Sequence, residues 1–213
     1  MKSQQKASEF TLSEQEVQNL INSTINFEHR MILKCLYYAG MRVFEVAALK
    51  VEDIDLDRKL IHVRKGKGGK HGTIPFIDAT FYADMSHYIG KRTSGNVFSI
   101  RKRWMQEIVR NAGERAKITH PNPFAKHINP HLMRHSIARH LKSHNYPAEF
   151  LKNFLRHESI NTTYDQYGTM GINEMQEIAA RKRGDTSLLP KLAQNNPPVV
   201  QDMDDLKNPR RIN

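Results

Sequence analysis

Between Asn129 and Tyr167 the chain carries His131, Arg134, His157 and Tyr167, four side chains suited to phosphodiester chemistry. His131 and Arg134 are three residues apart, so a helix would present both on one face. Asn129 suits an N-cap and Pro130 the first helical turn, so the helix should start here and run to about His144. Both side chains then stand near the positive end of a helix, where an oxyanion is stabilised. A cation-lined anion site with a tyrosine close in sequence suggests attack on phosphorus by a phenol oxygen. The same helix carries His135, His140 and His144. The pairs His131/His135 and His140/His144 have a spacing that could hold zinc, but no third ligand stands at a recognisable distance, so no metal is expected. His135 is expected to pack or hydrogen-bond beneath the site.

The segments PHLMRHSIARHL and LRHESINTTYDQYG resemble the tyrosine recombinases, or phage integrases, whose signature runs H-x-x-R, L-G-H, T-T-x-x-x-Y. AGMRVFEVAALKVEDID and GKGGKHGTIPF extend the resemblance in the family's order, beginning near residue 10. Four motifs at matching spacing are far more specific than one H-x-x-R. The resemblance implies a catalytic set of Arg42, Lys67, His131, Arg134, His157 and Tyr167. Arg42 and Arg134 would grip the scissile phosphate, His131 and His157 would add donors, and Tyr167 would be the nucleophile. Tyr164, three residues before it, competes for that role. Lys67, in a Gly-rich hairpin turn, would be the general acid, with Lys65 and Lys70 as close competitors and otherwise phosphate contacts. Glu45 would support the site. On its own, Arg42 with Glu45 three residues on reads as a surface ion pair of little worth.

The implied reaction joins a DNA 3′-phosphate to the tyrosine and frees a 5′-hydroxyl. It exchanges one phosphodiester for a similar one, so no ATP, metal or other cofactor is expected. The chain holds no Walker A motif and no clustered carboxylates for a two-metal site. Two features depart from the family. Its L-G-H is Leu155-Arg156-His157 here. If the backbone there needs positive φ, arginine is strained; alternatively Arg156 adds a phosphate contact. Family members also usually carry a helical core-binding domain before the catalytic one, and this chain reads as a catalytic domain alone.

Composition agrees with such a partner. The 213 residues carry 33 Lys and Arg against 22 Asp and Glu, a net charge of +11, which points to a polyanion and first to double-stranded DNA. Arg101, Lys102 and Arg103 are candidate DNA-backbone contacts, with a solvated basic face as the alternative. The single cysteine, Cys35, excludes a disulfide within the chain and suggests a reducing compartment. Met1 is followed by polar residues, no apolar run could span a bilayer, and a cytoplasmic location is expected.

The expected fold is mainly α with a small antiparallel sheet. Ser13 with Glu16 forms a capping box, Asn26 caps a second helix and Gly40 ends it. A short helix should cover Val43 to Leu49, and alternating strands Leu60 to Arg64 and Thr73 to Phe76. Further helices are predicted over 78–92, 101–117 (Trp104, Ile108 and Val109 facing inward), from Pro147 to about Arg156, over 160–167 and over 173–182. The division is then a flexible 1–10, a catalytic domain 11–183 and a tail 184–213. Leu188, Leu189 and Leu192, then Val199, Val200 and Met203, form short apolar clusters in that tail, and part of residues 185–205 is expected to dock on a neighbouring protomer or, when DNA is absent, to fold back over its own domain. A tetramer on DNA, with monomers free in solution, is expected. The leading reading is a site-specific DNA recombinase. The alternatives are a type IB topoisomerase-like nicking-closing enzyme and a non-catalytic DNA-binding protein that kept the fold.

Overall fold

The computed structural model describes residues 10–64, 72–156 and 170–190. Lys65, Lys67, Lys70, His157, Tyr164, Tyr167 and the predicted helix 160–167 lie outside the described residues, as do the chain before residue 10 and beyond residue 190.

Capping chemistry starts the helices where the sequence signals stand. In α1 (Glu14–Asn22) the Ser13 hydroxyl accepts from the Glu16 N–H at 3.2 Å, and the Glu16 carboxylate accepts from the Ser13 N–H at 2.7 Å. Asn26 opens α2 (Phe27–Tyr38), its side chain accepting from the His29 N–H at 3.0 Å. Every residue from Met31 to Tyr38 is buried, so α2 is the central helix. It packs against α1, against α3 (Val43–Ala47), and against three helices further along: α4 (Ala79–Ile89), α5 (Lys102–Arg115) and α6 (Pro130–Ser143). Gly40 follows it at φ +54°, and a Cβ there would lie 3.0 Å from Leu155 Cδ2. The missing side chain thus serves both the left-handed turn and the approach of α7 (Ala148–Leu155).

The sheet has three antiparallel strands, β1 (Ile54–Asp55), β2 (Leu60–Val63) and β3 (Gly72–Pro75), in the order β1-β2-β3. In the register Ile61 faces Ile74 and Val63 faces Gly72. Beyond it α8 (Ile172–Arg183) packs on β3, and the turn Thr186–Leu188 packs on α8. Leu188 and Leu189 are buried in the same core as α2. The Lys59 ammonium donates to the carbonyls of Ser187 and Leu189, so the first residues after Arg183 close onto their own domain. No described helix is long and apolar enough to cross a membrane.

One inward assignment is overturned. Trp104 is 65% exposed, while Met105, Ile108, Val109 and Ala112 are buried. Those four follow the spacing i, i+3, i+4, i+7, and Trp104 lies roughly 90° round the helix from their mean direction. Helical phase, rather than side-chain size, decides which face is inside.

Candidate active site

The Asn129 side chain accepts from the Leu132 N–H at 3.1 Å and Pro130 fills the first turn, so α6 starts where its sequence requires. His131 is exposed at that start and His135 half-buried one turn on, its ring held below the ordinary histidine value by burial and then by the adjoining His131 and Arg134 charges. Arg134, one turn inside the helix, is buried, and its two terminal nitrogens donate to the carbonyls of Gly40 and Leu155. Three elements therefore fix one guanidinium: α6 carries it, and the ends of α2 and α7 hold it. Burial, then the charges of Arg156 and Arg42, push its pKa down to about 9, against a smaller opposing pull from Glu45. It is still cationic at neutral pH.

Arg42 and Glu45 open α3. The Glu45 carboxylate accepts from the Arg42 N–H at 2.7 Å and from the Arg42 guanidinium at 3.1 Å. This is no loose surface pair, because the Glu45 side chain has no exposed area and that of Arg42 only 19%. A buried carboxylate needs compensation on all sides, and a second arginine provides it. Arg156 donates to Glu45 Oε2 at 2.6 Å. Two arginines thus share one buried carboxylate, and Arg134 adds a third charge nearby, so the cluster has a net positive charge.

Arg156 adopts φ +52°, the left-handed cap that ends α7. The backbone at the L-G-H position does need positive φ, and for a non-glycine residue this costs about 1–2 kcal/mol. Its guanidinium turns inward to Glu45 and to the Phe154 carbonyl, which it meets at 2.9 Å. Beside this cluster opens a cavity lined by Met41, Glu45, Lys50, Asp53, His62 and Arg64. Arg101, Lys102 and Arg103 stand exposed at the start of α5. The histidines at the far end of α6 have partners of their own: His140 Nδ1 meets the Tyr37 hydroxyl at 2.7 Å, and His144 Nε2 meets Glu14 at 2.6 Å.

Arg42, Glu45, Arg134 and Arg156 are brought together, and His131 stands one turn before Arg134 at the exposed start of α6. The hairpin strands that flank 65–71 end beside Arg156, since Gly72 lies against its side chain. The holding of Arg134 by two main-chain carbonyls, and of Glu45 by Arg156, was not anticipated from the sequence. Gly40 and Arg156 did stand out there, one as a cap and one as a departure.

The structural class is a mainly helical domain with a small antiparallel sheet that gathers three guanidiniums round one buried carboxylate. Its relatives give the class a name: residues 11–170 match the phage integrase family model, and the chain belongs to that family of tyrosine recombinases. It is 29% identical over 184 residues to tyrosine recombinase XerA of Pyrococcus horikoshii, covering 79% of this chain and 61% of the relative. It is 31% identical over 166 residues to tyrosine recombinase XerA of Pyrococcus furiosus, covering 72% and 55%. The chain thus spans little more than half the length of these curated relatives. Among solved structures, a XerA recombinase superposes with a TM-score of 0.60 at 24% identity over 81% of this chain and 64% of that one. The lambda integrase catalytic core superposes with a TM-score of 0.56 at 17% identity, over 72% of this chain and 94% of that core. The fold is that of a tyrosine recombinase catalytic domain.

Proposed function

We propose that this chain is the catalytic part of a site-specific DNA recombinase that cuts and rejoins DNA through a 3′-phosphotyrosine intermediate. The observation that carries the reading is the cluster of Arg42, Arg134 and Arg156 round the buried carboxylate of Glu45. Cations held this close without enough counter-charge are relieved by an anion, and planar guanidinium forks suit phosphate oxygens. A solved XerH recombinase bound to its difH substrate, with a TM-score of 0.57 over 71% of this chain, supports DNA as the polyanion.

In this reading the Tyr167 oxygen attacks phosphorus and the bond to the 5′-oxygen breaks. Lys67 gives that oxygen its proton. Arg42 and Arg134 face the phosphorane oxygens, with His131 and His157 as further donors. Surrounding positive charge favours the phenolate and so activates the nucleophile. Reversal with a different 5′-hydroxyl completes strand exchange between duplexes held by several protomers, a tetramer in the simplest arrangement.

A nicked suicide duplex tests this. The chain should form a covalent adduct, and Tyr167→Phe should abolish it while DNA binding persists. An adduct that survives in Tyr167→Phe but disappears in Tyr164→Phe would move the nucleophile to Tyr164. No adduct with any duplex would leave a DNA-binding protein, and relaxation without exchange between duplexes would indicate a topoisomerase.

A further inference from the structure

We propose that Arg156 is a positioning residue: it sets Arg42 through Glu45 and props β3, the strand that follows residues 65–71, against the site. This rests on the recombinase reading above and adds a part to it that the family's motif lacks, since the motif has glycine at this place.

Three observations meet at this side chain. Arg156 occupies a left-handed backbone conformation at φ +52°, where glycine would be unstrained. Its guanidinium takes Glu45 Oε2 at 2.6 Å, the oxygen that also receives the Arg42 N–H at 2.7 Å. Its aliphatic stem lies so close to β3 that a Cβ on Gly72 would stand 2.5 Å from Arg156 Cδ and 3.0 Å from Cγ. One side chain therefore touches the start of α3, the end of α7 and the first residue of β3.

These contacts explain why arginine is tolerated on a strained backbone. A buried carboxylate with only one guanidinium partner is poorly compensated, and a second hydrogen-bonded cation removes that deficit. The same contact limits how Glu45 can turn, and Glu45 holds both the main chain and the side chain of Arg42. Arg156 is itself turned away from solvent, its side chain being 12% exposed, so it acts through Glu45 rather than by gripping phosphate.

The test uses the full chain and the nicked suicide duplex, reading single-turnover adduct formation and DNA affinity separately. Arg156→Gly restores the family's motif, yet it should slow adduct formation about ten- to a hundredfold, as misplaced catalytic groups do. Affinity should change by less than about threefold, because no DNA contact is lost. Arg156→Lys, which keeps a cation for Glu45, should recover part of the rate. Gly72→Ala should slow the wild type by displacing the arginine stem, and should add no further loss in the Arg156→Gly background. An Arg156→Gly protein with the wild-type rate overturns the inference alone. So do losses that multiply in the double variant, or a loss confined to affinity. A wild type that forms no adduct overturns the recombinase reading and the inference with it.

Discussion

Arg134 is firmly anchored among the described cations of the site. Two of its donors are committed to the carbonyls of Gly40 and Leu155, so the guanidinium cannot swing, while each terminal nitrogen keeps a second N–H. Orientation fixed before a substrate arrives need not be arranged during the reaction. In the proposed reaction the leaving oxygen takes its proton from Lys67. Lys67→Ala should slow cleavage of ordinary DNA by about two to four orders of magnitude. A duplex with a 5′-bridging phosphorothiolate has a leaving group that needs no proton, and should restore the rate in that variant. Absence of rescue would take the role from Lys67 and pass it to Lys65 or Lys70. The residues of this site were legible to different degrees. His131 and Arg134 share one helical turn whose cap is written in Asn129 and Pro130, so local spacing places them. The Arg156–Glu45 bond joins residues 111 positions apart, and no local pattern encodes it.

Helices α2 and α6 form the frame of the site, because one ends at Gly40 and the other carries Arg134. They are pinned to each other by Tyr37 and His140. Burial raises the Tyr37 phenol far above its ordinary value, so the hydroxyl keeps its proton, and it shares a 2.7 Å hydrogen bond with His140 Nδ1. The His140 pKa is lowered, chiefly by burial and slightly by His144, against opposing pulls from Glu14 and the Leu12 main chain. A folded-state value below that of the unfolded chain means that the unfolded chain binds the proton more readily. The contribution to stability is therefore complete above a pH of about 6.5 and is lost as pH falls through the lowered value. His120 and His135, also lowered first by burial, act in the same direction. His140→Gln keeps a hydrogen-bonding side chain for Tyr37 and does not titrate. Its denaturation midpoint should fall less than that of the wild type between about pH 7 and pH 5, as checked by urea unfolding. An equal fall would show that His140 does not titrate on unfolding. At this scale the sequence was most readable where caps mark helix starts. It failed at Trp104, where an aromatic side chain drew attention from the four-residue stripe that sets the buried face.

Both ends of the described fold are tucked in. Leu12 is buried and its N–H reaches the Ser136 hydroxyl at 2.9 Å, on the helix that carries Arg134. At the other end Leu188 and Leu189 are 1% and 4% exposed, beneath the grip of Lys59 on their main chain. A tail drawn from composition at residue 184 hides this, because Gly184 ends a helix and polar residues follow it, while the receiving surface comes from distant parts of the chain. Truncation after Arg183 removes both leucines and should lower stability by about 3–6 kcal/mol in urea unfolding. Truncation after Pro190 keeps both leucines and should spare that part of the stability. If the segment beyond Pro190 docks on a neighbouring protomer, that second truncation should also lose multimer assembly on DNA in a mobility-shift assay. Unchanged stability in the shorter chain would mean that residues 184–190 add nothing to the core. The placement of these leucines also bears on how the polypeptide is made. Synthesis is vectorial and domains consolidate as they emerge. Leu188 and Leu189 are the last buried side chains of the described fold to leave the ribosome. Until they arrive, the nascent chain carries an open apolar face beside α8.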